Sequence, residues 1–371
     1  MDINKILAKE FSLRQEQVDN TIELIDDDKT IPFIARYRKE LTGSLDDQVL
    51  RELYDRLMYL RNLEKRKIEV TASITDQEKM TPQIEAAIIA ATTLVEIEDI
   101  YRPFKPKRRT RASIARENGL EALSVIIMEQ NNSTEPEKEA EAFVNEEKNV
   151  ADVKTALQGA MDIIAEDISD DADIRKKLRN LANAKGEISS KASDSEAESV
   201  YTNYYEYSEP ISKIANHRVL ALDRGEKEGF LKVSIALDEI IATDIILNKY
   251  IKNNNDCGEL VRTAAIDSYK RLIFPSIERE IRSEMTANAA EQAIKVFASN
   301  LRQLLLQPPL KNSVILGLDP GFRTGCKVAV IDSTGKCLDT NVIYPTPGPK
   351  TNIEGSKKIV KALIEKHNVT T

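Results

Sequence analysis

One acidic residue interrupts an apolar run in the stretch VILGLDPGFRTGCKVAVID, residues 314–332. This residue, Asp319, would be costly in a buried strand unless it were paired, hydrogen-bonded or bound to a metal. In two-metal phosphodiester chemistry several carboxylates converge on Mg²⁺ ions, and Asp319 could be the first of such a set. Alternatively, Asp319 accepts backbone N–H groups in its own Pro-Gly turn, and the spacing alone favours this interpretation. The other carboxylates of a metal site are not identifiable in this chain.

A second candidate is the basic strip, which we define as residues 102–116 (RPFKPKRRTRASIAR). Clustered cations and the first N–H groups of a following helix attract phosphates, and the sequence places Ser113 as the cap of that helix. Tyr101 and Phe104 could stack on bases. The residue types equally allow a solvated loop that pairs with the acidic surface of a chain of formal net charge −8. The strip holds seven cations and no acid, namely Arg102, Lys105, Lys107, Arg108, Arg109, Arg111 and Arg116.

Two further segments carry charged residues that could act together. Residues 30–47 (TIPFIARYRKELTGSLDD) place Arg36, Arg38 and Lys39 after a Pro-Phe pair, and we interpret them as a corner between two helices. The other segment is a helix that could form a proton relay, although a salt-bridged surface is the commoner arrangement. Its charged members are His217, Arg218, Asp223, Arg224 and Glu226.

One more charged residue is a candidate, and the motifs of several common enzyme classes are absent from the sequence. Arg323 lies in the turn after Asp319 and is a secondary candidate for binding. The sequence has no P-loop, Rossmann glycine fingerprint, HExxH or GxSxG motif. Its three cysteines form no CxxC pair and accompany only two histidines, which argues against a zinc site and a disulfide framework. We therefore predict that the chain needs no cofactor, apart from Mg²⁺ if Asp319 belongs to a nuclease site.

Composition indicates a globular, mainly helical protein. The 371 residues are 41% hydrophobic and 31% charged, with Ala, Leu, Glu and Lys abundant. The first residues lack the apolar core of a signal peptide, and the least polar stretch, AAIIAATTLV, is too short to span a membrane. A cytoplasmic location and a reducing compartment are expected.

The spacing of apolar residues predicts the helices and strands on which these candidate residues lie. Residues 1–185 read as successive helices, and leucines at three- and four-residue steps across 45–63 predict one buried helical face. Residues 187–210 are polar and serine-rich, which predicts an extended or loosely ordered connector. A single long helix is predicted over 275–306, ended by prolines. After it, three antiparallel strands and a helix are predicted, too few to close a two-faced α/β layer, so we expect the chain to be a fragment.

Four stretches in this order resemble the Tex family of bacterial transcription accessory proteins. They are TIPFIARYRKELTGSLDD, DIYRPFKPKRRTRASIARENGLEAL, HRVLALDRGEKEGFLKVSI and ILGLDPGFRTGCKVAVID. The resemblance implies a helical N-terminal region with a helix-turn-helix-like element, a long central helix, and a YqgF-type domain of RNase H-like fold. In that fold Asp319 would be the first-strand aspartate of the site. The family's helix-hairpin-helix modules and OB-fold RNA-binding domain are expected to be absent from this chain.

The resemblance also implies a function. We expect a nucleic-acid-binding transcription accessory factor that contacts RNA or DNA backbones, with transcription or translation machinery as further partners and no membrane. The alternatives are a metal-dependent, resolvase-like structure-specific nuclease and a helical scaffold for RNA polymerase or ribosomal proteins. The expected domains are an N-terminal helical domain over 1–186, a connector and central helical region over 187–274, the long helix over 275–309 and a partial YqgF-like domain over 310–371.

Overall fold

The computed structural model divides the chain into two compact units. The N-terminal unit is Met1–Gln292 and the C-terminal unit is Ala293–Thr371. The structure describes residues 2–106, 109–308, 310–321, 324–347 and 350–371.

Helices make up most of the N-terminal unit, as the sequence predicted. The longest of its first helices covers 47–76, where Asp46 caps the N-terminus by accepting the Val49 N–H at 2.9 Å. Leucines 53, 57, 60 and 63 are all buried along one face of this helix, which confirms the predicted periodicity. The helices up to residue 185 are α1 Ile3–Glu10, α2 Gln15–Asp26, α3 Ile31–Tyr37, α4 Lys39–Thr42, α5 Asp47–Asp76, α6 Pro82–Ala90, α7 Leu94–Tyr101, α8 Arg111–Glu117, α9 Glu121–Glu129, α10 Pro136–Glu141, α11 Val153–Ser169 and α12 Ala172–Lys185.

The second half of the chain adds the long helix and two small sheets. A short π-helical turn, Ser268–Ile273, connects two of its helices. The predicted long helix over 275–306 is confirmed, since the observed helix begins at Phe274 and ends at Leu305. The remaining elements are β1 Glu187–Ala192, β2 Glu206–Pro210, α13 Asn216–Lys227, β3 Leu231–Ala236, α14 Glu239–Tyr250, α15 Asp256–Asp267, α16 Phe274–Leu305, β4 Ile315–Asp319, β5 Cys326–Ile331, β6 Cys337–Ile343 and α17 Ile353–His367.

Helix α11 lies at the centre of the largest core. Its buried face presents Ala156, Ala160, Ile163 and Ile164, and it packs against α8, α9 and α15. Small alanines allow neighbouring helices to approach closely, while the isoleucines fill the space between them. None of the helices in the described ranges is both long and apolar enough to cross a bilayer.

The serine-rich segment 187–210 is extended over much of its length, as one of the two predicted alternatives had it, but its extended parts are paired strands and not a loose connector. Strands β1 and β2 pair antiparallel, and β1 also pairs with β3, so the sheet order is β2-β1-β3. Ile188 and Ser190 occupy the buried side of β1, and the Ser190 hydroxyl donates to the Tyr204 carbonyl at 2.6 Å. A serine whose hydroxyl bonds to a backbone group can occupy a buried strand position at little cost. Because serine is polar, the sequence pattern of this segment did not indicate a strand.

The C-terminal sheet has the predicted antiparallel order β4-β5-β6, followed by α17. Val328, Val330, Ile343 and Leu363 form its buried side. The β5–β6 connection is a tight turn in which the Asp332 carboxylate accepts the N–H groups of two following residues, Thr334 and Lys336, at 2.8 and 3.0 Å.

Helices α7 and α12 are joined by an ion pair whose pH dependence can be predicted. The Lys176 ammonium donates to Glu96 at 2.8 Å, as does the Thr92 N–H, and together they lower the pKa of Glu96 to about 2. In the unfolded chain a glutamate titrates near 4.3. The stabilisation is therefore complete above about pH 5 and is lost as the pH falls towards 2.

Replacement of Glu96 by Gln should remove this pH-dependent stabilisation. We expect the free energy of unfolding to fall by about 1–2 kcal/mol at pH 7, less than the pKa shift alone would give because the pair is partly exposed. Urea unfolding at a series of pH values would measure the difference in free energy of unfolding between parent and variant. This difference should shrink below about pH 4. Glu23→Gln, at an exposed position on α2, is the control and should show no such decrease. A difference that stays constant down to pH 3 would contradict the assignment.

Candidate nucleic-acid interface

The basic strip runs from the end of α7 into α8. Arg102–Phe104 forms one 3₁₀ turn. The cap of α8 is Thr110, whose hydroxyl accepts the Ser113 N–H at 3.0 Å, while the Ser113 hydroxyl accepts the Thr110 N–H at 2.8 Å. Ser113 is thus the reciprocal partner in a capping box and not the cap that the sequence predicted. Since α8 has only seven residues, the case for phosphate binding depends on the side chains.

Two cations of the strip are held by carboxylates of the protein. Arg102 is partly buried, and its Nε lies 3.3 Å from Asp170 Oδ1. The two groups form an ion pair but not a hydrogen bond. Burial and the neighbouring Arg175 lower the pKa of the Arg102 guanidinium. Arg116 donates to Glu166 at 3.0 Å and to Asp167 at 2.5 Å. These two arginines therefore anchor the strip to α11 and to its C-terminal end.

Three other cations of the strip face solvent. Lys105 lies 3.7 Å from Glu98, and Arg109 lies 3.3 Å from Glu117, in pairs whose members are all substantially exposed. Exposed pairs of this kind contribute little and are readily replaced by a phosphate. Arg111 is exposed and forms no ion pair within the described ranges, although its charge acts on Asp162 in the same groove. Lys107 and Arg108 lie outside the described residues.

Tyr101, which directly precedes the strip, and Phe104, which lies within it, both contact the same apolar cluster. Tyr101 is buried, its hydroxyl lies 3.0 Å from Ser73 Oγ, and the Arg66 guanidinium lies 5.3 Å from its ring centroid. Phe104 packs at the edge of the same apolar cluster. The predicted stacking role of Tyr101 is therefore wrong, because this ring belongs to the core between α5 and α7.

A groove of about 380 Å³ lies next to Arg111, between α8 and α11. Its rim carries Lys154 and Gln158, both exposed, and its floor includes Gly159. A Cβ at Gly159 would lie 2.3 Å from Leu120 Cδ1, which shows how closely the helices pack there. Lys154 extends the positive surface of the strip, and it was missed because nothing in the sequence links residue 154 to the strip.

One acid lines the same groove. Burial raises the pKa of Asp162, whose carboxylate lies 3.4 Å from the Arg271 guanidinium. Arg271 itself is held mainly by Asp267, at 2.5 Å. The cation beside Asp162 limits the repulsion that a phosphate at Arg111 and Lys154 would experience.

A buried ion network lies immediately before the strip. Arg175 is fully buried, and it donates to Asp99 at 2.7 Å and to Glu280 at 2.7 Å. Arg179 donates to the same two carboxylates at 2.9 Å each. The network ties α7, α12 and α16 together, so the strip begins at a fixed point. Asp99 therefore accepts its hydrogen bonds from α12, although its charge also acts on the neighbouring Arg102 of the strip.

Some charged residues of α13 form ion pairs with other elements, and others are exposed to solvent. Arg218 donates to Glu209 of β2 at 2.8 Å, and Asp223 and Glu226 both accept Arg282 of α16, at 2.9 and 2.8 Å. The structure thus shows a salt-bridged surface around these residues. His217 and Arg224 are exposed and take no part in these pairs.

The structure places Asp319 at an exposed position. It ends β4 opposite Lys327 of β5, and both of these residues are exposed. The expectation of a carboxylate in a buried strand is therefore wrong. Within the described ranges its carboxylate accepts no hydrogen bond, and no three His, Cys, Asp or Glu side chains are arranged to hold a metal. Arg323 lies outside the described residues.

Comparison with known families gives three matches in chain order. They are to the Tex-like protein N-terminal domain over residues 1–75, the Tex central region-like family over 131–297 and the Tex protein YqgF-like domain over 313–371.

Individual relatives extend these matches across nearly the whole chain. An uncharacterized protein YdcI of Bacillus subtilis is 44% identical over 98% of this chain and 51% of its own length. A transcriptional accessory protein Tex of Neisseria gonorrhoeae is 39% identical over 93% of this chain and 46% of its own. The human S1 RNA-binding domain-containing protein 1 is 30% identical over 92% of this chain and 36% of its own. The chain spans about half the length of the bacterial relatives.

Proposed function

Because the chain belongs to the Tex family, we propose that it is a nucleic-acid-binding accessory factor of transcription, and that the basic strip contacts the phosphate backbone. The observation that carries the proposal is the set of exposed cations at Lys105, Arg109 and Arg111, which Lys154 extends along the adjoining groove. The names of two relatives, a transcriptional accessory protein and an S1 RNA-binding domain-containing protein, support the same assignment.

Contacts of this kind position a backbone and carry no sequence information. Lysine and arginine bind phosphates without a metal or other cofactor, so we propose none for this interaction. Affinity should lie in the usual range of non-specific binding, roughly 10⁻⁴ to 10⁻⁶ M at physiological salt. Within the strip, Arg102 and Arg116 hold the backbone of the protein in place while the exposed cations contact the ligand.

Salt dependence tests the proposal directly. Four to six phosphate contacts predict that log K falls against log salt with a slope between about −3.5 and −5.5 on duplex DNA, because each contact releases condensed counterions. Fluorescence anisotropy between about 50 and 200 mM KCl would measure this slope on labelled duplex DNA, and parallel titrations with single-stranded DNA and RNA would establish the preferred ligand. Absence of binding at the lowest salt concentration, or binding that salt leaves unchanged, would contradict the proposal.

A further inference from the structure

A second cationic surface lies on α3 and the start of α4, in the segment KTIPFIARYRK at residues 29–39. The segment contains four cations and no acid. We call this surface the aromatic patch and define it as Phe33, Arg36, Tyr37, Arg38 and Lys39. It belongs to the N-terminal unit, and the proposed phosphate contacts of the basic strip do not include it.

The patch presents an aromatic ring to solvent. Phe33 and Tyr37 are one helical turn apart, so their rings meet with centroids 5.3 Å apart, and Tyr37 is 56% exposed. The Arg38 guanidinium lies 5.2 Å from the Phe33 centroid, and that of Arg36 lies 6.0 Å from the Tyr37 centroid. An exposed aromatic ring bordered by cations offers both a stacking surface and counter-charges for an anionic ligand.

The cations of the patch lack the carboxylate partners found at comparable places in this protein. Arg56 also lies over a tyrosine ring, but its guanidinium binds Glu10 at 2.7 Å. Arg66 lies over Tyr101 and likewise binds a glutamate. By contrast, Arg36, Arg38 and Lys39 form no ion pair with any residue that the structure describes. The charge of the patch is therefore available to a ligand.

A groove of about 540 Å³ lies beside the patch, between Arg36 and Lys39 on one side and the start of α5 on the other. Both acids that line it have partners in the protein. Asp47 binds Arg51 at 2.7 Å, and Asp46 caps α5. Each of these carboxylates thus has a positive group of α5 beside it, Arg51 or the helix N-terminus, which reduces the repulsion that an anion near Arg36 and Lys39 would experience.

We propose that the aromatic patch binds a single-stranded segment of nucleic acid, with one base stacked on Tyr37 and the flanking phosphates at Arg36 and Lys39. This inference rests on the proposed function, since it assigns a second contact to a nucleic-acid-binding chain. A duplex is excluded because its bases are stacked on one another and cannot cover the ring. An acidic peptide would satisfy the cations but leave the face of Tyr37 without a planar partner.

Two probes of equal charge separate stacking from phosphate binding. One is an oligouridine of about 12 nucleotides, within the range of single-strand sites, and the other is a fully abasic strand of the same length. In the intact chain, Tyr37→Ala should weaken binding of the oligouridine about fivefold, the lower end for one stacked base, and leave binding of the abasic strand unchanged. Tyr37→Phe should retain the preference, whereas Arg36→Ala combined with Lys39→Ala should weaken both probes.

Phe297→Ala is the matched control, because Phe297 is a ring 67% exposed on α16 without a neighbouring arginine in the described ranges. It should leave the preference for bases intact.

Equal affinity of the parent for both probes, or a Tyr37→Ala variant that still prefers bases, overturns the inference. In either case, salt-dependent binding that is lost on removal of strip cations would still support the proposed function. Conversely, a base preference that depends on Tyr37 but not on the strip supports the patch and contradicts the strip. Absence of binding to any nucleic acid overturns both.

Discussion

Replacement of Arg175 by alanine should lower the free energy of unfolding of the N-terminal unit by about 3–5 kcal/mol, the usual cost of removing one partner of a buried ion pair. Arg175 is fully buried, and its guanidinium contacts both Asp99 and Glu280. Without it, Asp99 stays buried with Arg179 as its cation. The variant also leaves a cavity where α7, α12 and α16 meet, which adds to the loss.

Urea-induced unfolding, followed by circular dichroism, would measure this change. Arg51→Ala is the matched control, because Arg51 also pairs with an aspartate, Asp47, at 2.7 Å, but both side chains are about half exposed. We expect the control to lose no more than about 0.5 kcal/mol. A loss below about 1 kcal/mol for Arg175→Ala would show that the network contributes less than its burial indicates.

Local periodicity explains which parts of the fold could be predicted from the sequence. The leucines of α5 repeat at helical spacing, and a helix needs only its own backbone to satisfy its hydrogen bonds, so α5 and α16 were predicted correctly. The three C-terminal strands were also visible, because apolar residues alternate between turn residues.

Features that depend on distant contacts could not be predicted in this way. Ser190 of β1 is polar yet buried, because its hydroxyl reaches the Tyr204 carbonyl, and no local pattern reveals that partner. Leu318 is apolar yet 57% exposed, although its cross-strand partner Val328 is buried, because burial at the end of a strand depends on which distant residues cover it. An apolar run therefore predicts a strand, but it does not establish that Asp319 within it is buried.

The same limit applies to the basic strip. Its cations look equivalent in the sequence, but Arg116 is held by carboxylates about fifty residues away on α11, whereas Arg111 is exposed. Clustering of like charges identifies a candidate surface, and only the fold distinguishes cations that hold the structure from cations that face a ligand.

A strip variant in which four cations are replaced by alanine should bind nucleic acid about 10- to 1000-fold more weakly at 100 mM salt. The loss should be similar for unrelated sequences, since phosphate contacts do not read bases. The slope of log K against log salt should become shallower by about 0.9 for each contact removed, which anisotropy titrations would measure. The substituted residues are Lys107, Arg108, Arg109 and Arg111.

Net charge alone could weaken binding, so the control must carry the same charge. A variant lacking four dispersed, exposed lysines meets this condition and should keep the parent's salt slope and most of its affinity. These lysines are Lys138, Lys177, Lys357 and Lys361. If both variants lost affinity equally, the overall charge and not the strip would be responsible.

Stability decides between phosphate binding and the alternative in which the strip serves only packing. The strip variant retains Thr110 and Ser113, so the capping box of α8 should persist, and the one ion pair lost within the described ranges, Arg109 with Glu117, is exposed and contributes little. We therefore expect the free energy of unfolding to change by less than about 0.5 kcal/mol. A variant that lost thermal stability while its affinity and salt slope stayed at the parent's values would show that these cations hold the fold and do not contact nucleic acid.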